Sequence, residues 1–188
     1  VNLTHTENPA GSLIYNETMK SCGDMRVGEI CNWTFKVTVP AATPPGVIDT
    51  FIISTWKNPD ITIDQASNKT SITVSSNPVI EIEPKSLNQT TPHDLTTYIG
   101  NFTVKSAGND EIRDVEISTV GGNLFTDCPE CILTIIPTSY GVLAAGKNFT
   151  SNAEISIPAG QAPGNYWTKI RASTSNAGFD ELLLNLTI

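Results

Sequence analysis

Apolar and polar residues alternate along most of this chain, and that alternation limits the possible folds more than any other feature. Clear examples are 33–39, WTFKVTV, together with 80–83 and 153–157. Successive side chains of a strand point to opposite faces, so this pattern puts one face on a core and the other in water. Turn residues such as Asn58-Pro59-Asp60 and Gly121-Gly122-Asn123 separate the segments. No segment has helical periodicity, and the sequence therefore predicts an all-β protein of short antiparallel strands.

The chain also repeats itself. Residues 28–58 align without a gap with residues 146–176, at an offset of 118 positions, and residues 1–4 resemble 115–118 after a four-residue shift. In both copies a strand ends at a proline, Pro40 or Pro158, and a Pro-Gly turn begins the next strand. A repeat of this length indicates tandem modules. We expect two β-sandwich domains, 1–76 and 77–188.

The two copies differ in completeness. The second copy has patterns for a complete seven-stranded sandwich, with strands near 79–83, 97–105, 113–119, 132–136, 149–157, 165–173 and 181–188. Because Val1 aligns with Val115, the first copy has no counterpart of 79–114, about two strands. Such a module exposes core-facing side chains and strand edges, which proteins avoid or use for assembly. Either the sequence begins inside a longer chain, or a neighbouring molecule adds the missing strands.

Two segments resemble a known family of modules. Residues 105–118, KSAGNDEIRDVEIS, resemble the second and third strands of CARDB-like immunoglobulin-type modules, in which a V-x-N-x-G turn precedes a V-x-[LIV]-[ST] strand. Ile157-Pro158 and 162–166, APGNY, resemble the P-x-x-x-x-P-G-x-Y turn near the end of those modules. Ser106 replaces the usual asparagine, and 128–131, CPEC, is an insertion. The resemblance implies immunoglobulin-like sandwiches in tandem, on prokaryotic and often archaeal surface proteins and extracellular filaments.

Cysteines and glycosylation motifs favour an extracellular or cell-surface location. The four cysteines form two local pairs, Cys22 with Cys31 and Cys128 with Cys131, which in an oxidising compartment indicates two short-loop disulfides. The chain has more Asn-X-Ser/Thr motifs than its composition predicts by chance, and we expect N-linked glycans on it. The eight candidate asparagines are Asn2, Asn16, Asn32, Asn68, Asn88, Asn101, Asn148 and Asn185.

The remaining features argue against several functional classes. A net charge of −8, with Lys and Arg totalling 11, disfavours nucleic acid as a partner. No apolar run is long enough to span a membrane. Cys128 and Cys131 lack the second ligand pair of a zinc site, and Asp110, Glu111 and Asp114 lack a calcium-loop pattern, so we expect no metal and no cofactor.

An enzyme is not expected either. His5 and His93 are the only histidines, and no Gly-x-Ser-x-Gly motif is present, so the residues of a hydrolase triad are lacking. Trp33, Trp56 and the pair Tyr166-Trp167 are candidates for a sugar-stacking platform, although burial in a sandwich core is the commoner fate of aromatic residues.

Together these features predict a non-enzymatic structural subunit of an extracellular filament or cell-surface layer, with identical subunits as partners. Assembly would proceed by β-strand complementation. The alternating N-terminal segment is the candidate donated strand, and its residues are Val1, Asn2, Leu3, Thr4, His5 and Thr6. The alternative is a carbohydrate- or protein-binding immunoglobulin-like module of an adhesin or a large secreted protein, with Trp167 as a contact residue.

Overall fold

A computed structural model describes every residue from Val1 to Ile188. The chain divides into two compact units, unit 1 (Val1–Ser76) and unit 2 (Asn77–Ile188), at the place where the repeat predicts the boundary. The expected all-β class is confirmed, since strands make up nearly all of the regular structure. None of the helical structure has the length and hydropathy that a membrane-spanning helix requires.

Unit 1 contains one substantial sheet. Its strands are β1 (Asn2–Asn8), β2 (Ile14–Tyr15), β3 (Met19–Ser21), β4 (Val37–Thr38), β5 (Gly46–Lys57) and β6 (Ile63–Val74). Four of them form an antiparallel sheet in the order β3-β1-β5-β6, while β2 pairs only with β4. The long β5–β6 hairpin dominates the unit. Turn residues 58–62 join β5, which is rich in β-branched and aromatic residues, to β6, which pairs with β5 along its whole length.

Unit 2 is a sandwich of two sheets. Its elements are β7 (Ile80–Glu83), β8 (Ser86–Thr90), β9 (Leu95–Ser106), β10 (Ile112–Val120), α1 (Leu124–Asp127), β11 (Ile132–Ile136), β12 (Ser139–Leu143), β13 (Asn148–Ile157), β14 (Asn165–Ser173) and β15 (Phe179–Thr187). The sheet orders are β12-β10-β14-β15-β8 and β11-β13-β9-β7. All pairings are antiparallel except that of β8 with β15.

The strand order of unit 2 can be compared with that of an immunoglobulin sandwich. The series β7-β9-β13-β11 corresponds to strands A-B-E-D of the constant-type immunoglobulin sandwich, and β10-β14-β15 corresponds to C-F-G. The strands β8 and β12 are additions at the two edges of the second of these sheets.

The prediction of seven strands in unit 2 was wrong, because the structure has nine. The two missed strands, β8 and β12, are short edge strands. The sequence of β8, SLNQT, has a single apolar residue, and that of β12, SYGVL, contains Gly141. Pairing with β15 and β10, rather than a local pattern, makes these segments strands.

The hydrophobic core lies in unit 2. Inward-facing residues of both sheets are fully buried, and the largest include Phe102, Ile155 and Leu184. Alternation produces this core, since Leu182, Leu184 and Leu186 of β15 share one face. At its start the unit packs closely around the predicted turn, where a Cβ on Gly108 would lie 2.0 Å from the backbone oxygen of Asn77. Only glycine fits there.

Candidate functional site

The pairing registers show which strands of unit 1 correspond to strands of unit 2. Asn2 lies opposite Thr55, and Glu116 lies opposite Ser173, which is the same pair after the shifts seen in the sequence repeat. Asn2 also lies opposite Ser21, as Glu116 lies opposite Ser139. The strands β1, β3 and β5 therefore correspond to β10, β12 and β14.

The other pairings extend this correspondence to the whole of unit 1. Tyr15 lies opposite Val37 in the same way that Leu133 lies opposite Ile155, so β2 and β4 correspond to β11 and β13. The pair Ile52 and Asn68 corresponds to Ile170 and Leu182, so β6 corresponds to β15. The six strands of unit 1 thus match β10 to β15 in order. Three strands, β7, β8 and β9, have no counterpart, where the sequence predicted about two missing.

Within residues 1–76 no strand takes the places of β7, β8 and β9, and part of one sheet face and the outer edge of β6 are uncovered. In unit 2, β8 pairs along the outer edge of β15, whereas the corresponding edge of β6 has no partner. The nine residues from Ile63 to Ser71 are all exposed. Leu13 and Ile48 are the two buried apolar residues of unit 1, whereas every other buried apolar residue of the chain lies in unit 2. One side of the β3-β1-β5-β6 sheet carries Ile48, Ile52 and Asn68; it is covered at Ile48 and exposed at Asn68, and we call this side the open face.

The same absence explains a wrong strand prediction. Residues 33–38 alternate as expected between half-buried and exposed, although Val39 is exposed, and only Val37–Thr38 forms hydrogen-bonded strand. The corresponding strand of unit 2, β13, pairs with β11 on one side and β9 on the other. Unit 1 has no β9, and its β2 is two residues long, so most of this segment lacks ladder partners.

One end of the open face carries an aromatic cluster. The His5 ring stacks on Tyr15 with centroids 3.5 Å apart, and Trp33 and Phe35 lie within 6.1 Å of His5. The hydroxyl of Tyr15 hydrogen-bonds that of Thr50 at 2.9 Å. Burial raises the pKa of Tyr15 above its ordinary value, and the nearby Glu7 adds to the rise. These ring contacts add to the apolar packing that Leu13 and Ile48 provide in unit 1.

The predicted donor segment, residues 1–6, is not a free arm. Asn2–Asn8 forms β1, which lies inside the sheet between β3 and β5 and pairs with seven consecutive residues of β5. Donation of this strand would require it to leave its own sheet. That residues 1–6 act as a donated strand stays a prediction, and it now requires that two copies exchange their β1 strands.

The predicted glycosylation sites mostly lie on the surface. Asn185 is half-buried and its side chain donates a hydrogen bond to Asn88 on the neighbouring strand, at 2.8 Å. The side chain of Asn16 accepts a hydrogen bond from the backbone of Lys36. Seven of the eight asparagines are exposed: Asn2, Asn16, Asn32, Asn68, Asn88, Asn101 and Asn148. Glycosylation itself stays a prediction.

The cysteines pair as the sequence indicates, Cys22 with Cys31 and Cys128 with Cys131. The second disulfide is buried in the core at the end of α1, whereas the first closes an exposed loop of unit 1. The acidic residues near the β9–β10 turn do not converge: Glu111 forms an ion pair with Arg113, and Asp114 accepts a hydrogen bond from Ser175. No group of three or more His, Cys, Asp or Glu side chains is placed to hold a metal ion.

The candidate aromatic residues divide between core and surface. Tyr166 is 6% exposed, while its neighbour Trp167 is 41% exposed and lies opposite Asn185. Trp33 and Trp56 are half-buried in unit 1. Tyr166 and Trp167 therefore do not form a platform together.

Unit 2 has an apolar edge that the sequence analysis missed. Ile132 and Ile136 of the edge strand β11 are each 63% exposed, whereas Leu133 and Ile135 between them turn inward. The strand was predicted, but its partly apolar outer face was overlooked. The signal was present, because ILTII is apolar on both faces where an ordinary surface strand alternates. We call β11 with Ile132 and Ile136 the apolar edge.

Comparisons with known proteins assign no family. No protein-family model and no curated protein sequence matches this chain. The solved structure of surface layer protein SbsC, domains 1–6, aligns with 98% of this chain and 20% of its own, at 13% identity and a TM-score of 0.37. A protein of unknown function from Porphyromonas gingivalis W83 aligns with 100% of this chain and 85% of its own, at 14% identity and a TM-score of 0.42.

A family 123 glycoside hydrolase from Clostridium perfringens aligns with 60% of this chain, at 9% identity and a TM-score of 0.45. The alignment covers 27% of the hydrolase, so this chain spans about a quarter of its length. Similarities at this level transfer no activity, and the function has to be argued from the open face, the unpaired edge of β6 and the apolar edge of unit 2.

Proposed function

We propose that this protein is a non-enzymatic structural subunit of an extracellular filament or cell-surface layer, and that identical subunits assemble by β-strand complementation. The observation that carries the proposal is that residues 1–76 contain no counterparts of β7, β8 and β9 in the register correspondence, and that the outer edge of β6 has no strand partner. Leu13 and Ile48 are the buried apolar residues of this sheet and its loops, so a second layer over the open face would add apolar burial that residues 1–76 do not provide.

The partner we propose is a second copy of the chain, because each copy carries both halves of a contact. Unit 1 offers the unpaired edge of β6, and unit 2 offers the apolar edge with Ile132 and Ile136. Addition of β11 beside β6 supplies main-chain hydrogen bonds, and its two isoleucines extend the open face. Because the two surfaces differ, the contact is head-to-tail and continues from copy to copy, which produces filaments or layers rather than closed dimers.

The extracellular location in this proposal is supported by the two disulfides, which persist in oxidising compartments. The exposed sequon asparagines are consistent with it.

The experiment compares the wild-type chain with the variant Ile132→Lys/Ile136→Lys, both produced without glycans in a non-glycosylating host. Assembly is followed by sedimentation velocity and negative-stain electron microscopy at about 10 µM, above a dissociation constant of about 1 µM. We expect polymers from the wild type and monomers from the variant, because lysines on an edge strand prevent strand addition. The control, Ser118→Lys/Thr119→Lys, adds the same charge to exposed residues of β10, an inner strand of its sheet that pairs with β14 at these positions. It should still polymerise.

A wild-type chain that stays monomeric under all conditions would contradict the proposal. If that monomer bound oligosaccharides and lost the binding on Trp167→Ala, the alternative function of a carbohydrate-binding module would replace it. The 41% exposure of Trp167 is the observation that keeps this second function in consideration.

A further inference from the structure

The position of Asn68 in unit 1 is a core position in unit 2. Asn68 lies opposite Ile52 on β5, and the corresponding pair in unit 2 is Ile170 opposite Leu182. Ile170 and Leu182 are 0% and 1% exposed. Asn68 is exposed, because nothing in unit 1 covers this part of the sheet.

In unit 2 the covering element is β7. Ile82 of β7 is fully buried, and its backbone N–H donates to the Asp180 carboxylate of β15 at 2.7 Å. The residue two positions further along β15 is Leu182, so β7 holds this part of β15 in the core. A second copy whose β11 lies beside β6 brings its outward-facing isoleucines next to the side chain of residue 68, because side chains on facing strands are about 5 Å apart.

Asn68 is also the first residue of a sequon, Asn68-Lys69-Thr70. It lies on the exposed strand β6, and its side chain is on the open face beside the unpaired edge. An attached oligosaccharide is bulky and strongly hydrated. Because hydroxyl groups without hydrogen-bond partners are costly to bury, a glycan at this position cannot be packed against the isoleucines of an added β11.

We propose that Asn68 is a glycosylation site that controls assembly: a subunit carrying an oligosaccharide on Asn68 cannot receive a second copy on its open face, and a subunit without it can. This inference rests on the proposed function and adds its regulation. The other exposed sequons have no such effect where their asparagine lies on an outer face, as Asn101 does on β9.

The test uses the full chain from a glycosylating host, with site occupancy measured by mass spectrometry of glycopeptides. Wild type is compared with Asn68→Gln, and with Thr70→Ala, which removes the sequon but keeps Asn68. The control Asn101→Gln removes one glycan from unit 2. The polymer fraction of each is measured by sedimentation velocity at equal concentration.

We expect Asn68 to be occupied in the wild type, and we expect both sequon variants to polymerise at least tenfold more than wild type and the Asn101→Gln control. Wild-type protein with an occupied Asn68 that polymerises as well as Asn68→Gln overturns this inference and leaves the proposed function standing. An unoccupied Asn68 in a host that glycosylates the other sites overturns it too. If neither sequon variant polymerises, and the wild type produced without glycans does not polymerise either, both the inference and the proposed function fail.

Discussion

At the scale of single residues, Asp180 shows what a complete unit has and unit 1 lacks. Its carboxylate accepts hydrogen bonds from the Lys85 ammonium and from the backbone N–H of Ile82, joining β15 to β7. Burial opposes ionisation of Asp180, yet these partners hold the pKa of the carboxyl below its ordinary value. The residue at the corresponding position of unit 1 is Ala66, which lies opposite Ser54 as Asp180 lies opposite Ala172.

The substitution Asp180→Ala should destabilise unit 2 by about 1–2 kcal/mol at pH 7, since a buried backbone donor then loses a charged acceptor. Because the folded-state pKa is lowered, the carboxylate stabilises the fold fully above the ordinary Asp pKa of about 4 and less as pH falls through the lowered value. The difference between wild type and variant should therefore shrink at acidic pH. Urea denaturation of the full chain at several pH values measures it.

The matched control is Glu154→Gln, which removes one charge from an exposed residue of β13. It should change the free energy of unfolding by less than about 0.5 kcal/mol. A difference between Asp180→Ala and wild type that does not vary with pH would contradict the role given to the carboxylate.

At the scale of elements, the position of β1 decides between two modes of assembly. Thr4 lies opposite Ile53 on β5, and neighbouring antiparallel residues are close enough for a disulfide. Strand addition at the edge of β6 leaves this pair within one copy. Exchange of residues 1–6 between copies places Thr4 of one copy against Ile53 of another.

The double substitution Thr4→Cys/Ile53→Cys therefore distinguishes the modes. The chain has no free cysteine, so the introduced thiols are the only ones that can pair without disturbing a native disulfide. After mild oxidation of assembled protein, we expect a monomer band on a non-reducing denaturing gel. A ladder of covalent multimers would show that copies exchange β1, and would support residues 1–6 as the donated strand.

The control for this gel is Val47→Cys/Thr73→Cys, a facing pair within the β5–β6 hairpin. Both residues belong to one hairpin, so this pair should close within one copy in either mode. It shows that oxidation alone does not link subunits.

At the scale of the whole molecule, the uneven distribution of the core predicts uneven stability. Unit 2 holds a continuous cluster of buried apolar residues, whereas unit 1 has Leu13 and Ile48. In the monomeric full chain, backbone amides of β9, β13 and β14 should exchange with solvent at least 100-fold more slowly than those of β5 and β6, because local opening is easier where few apolar contacts resist it.

Hydrogen-exchange mass spectrometry of the full chain tests this expectation before and after assembly. In the polymer, protection should rise in unit 1, at β6 above all, and stay constant in the inner strands of unit 2. Equal protection of both units in the monomer would mean that unit 1 is stable without a covering partner, which would contradict the proposed assembly.

Alternation, turn residues and the internal repeat were enough to predict the all-β class, the two units and most strands of unit 2, because a half-buried strand leaves its period of two in the sequence. The cysteine pairs could be predicted for a similar reason, since each pair is local. Residues 33–39 show where prediction from alternation fails. The alternation is real, but a strand also needs a neighbour for its ladder, and no local pattern reports that the neighbour is missing.

Tertiary pairing alone decided the rest. It made strands of the weakly patterned segments 86–90 and 139–143, placed residues 1–6 inside a sheet, and left one edge of β6 without a partner. It also left Asn68 exposed, although the corresponding residue of unit 2, Leu182, is buried in the core. Hydrogen bonds between strands join residues far apart in the chain, so only the folded molecule determines which faces are covered and which stay open.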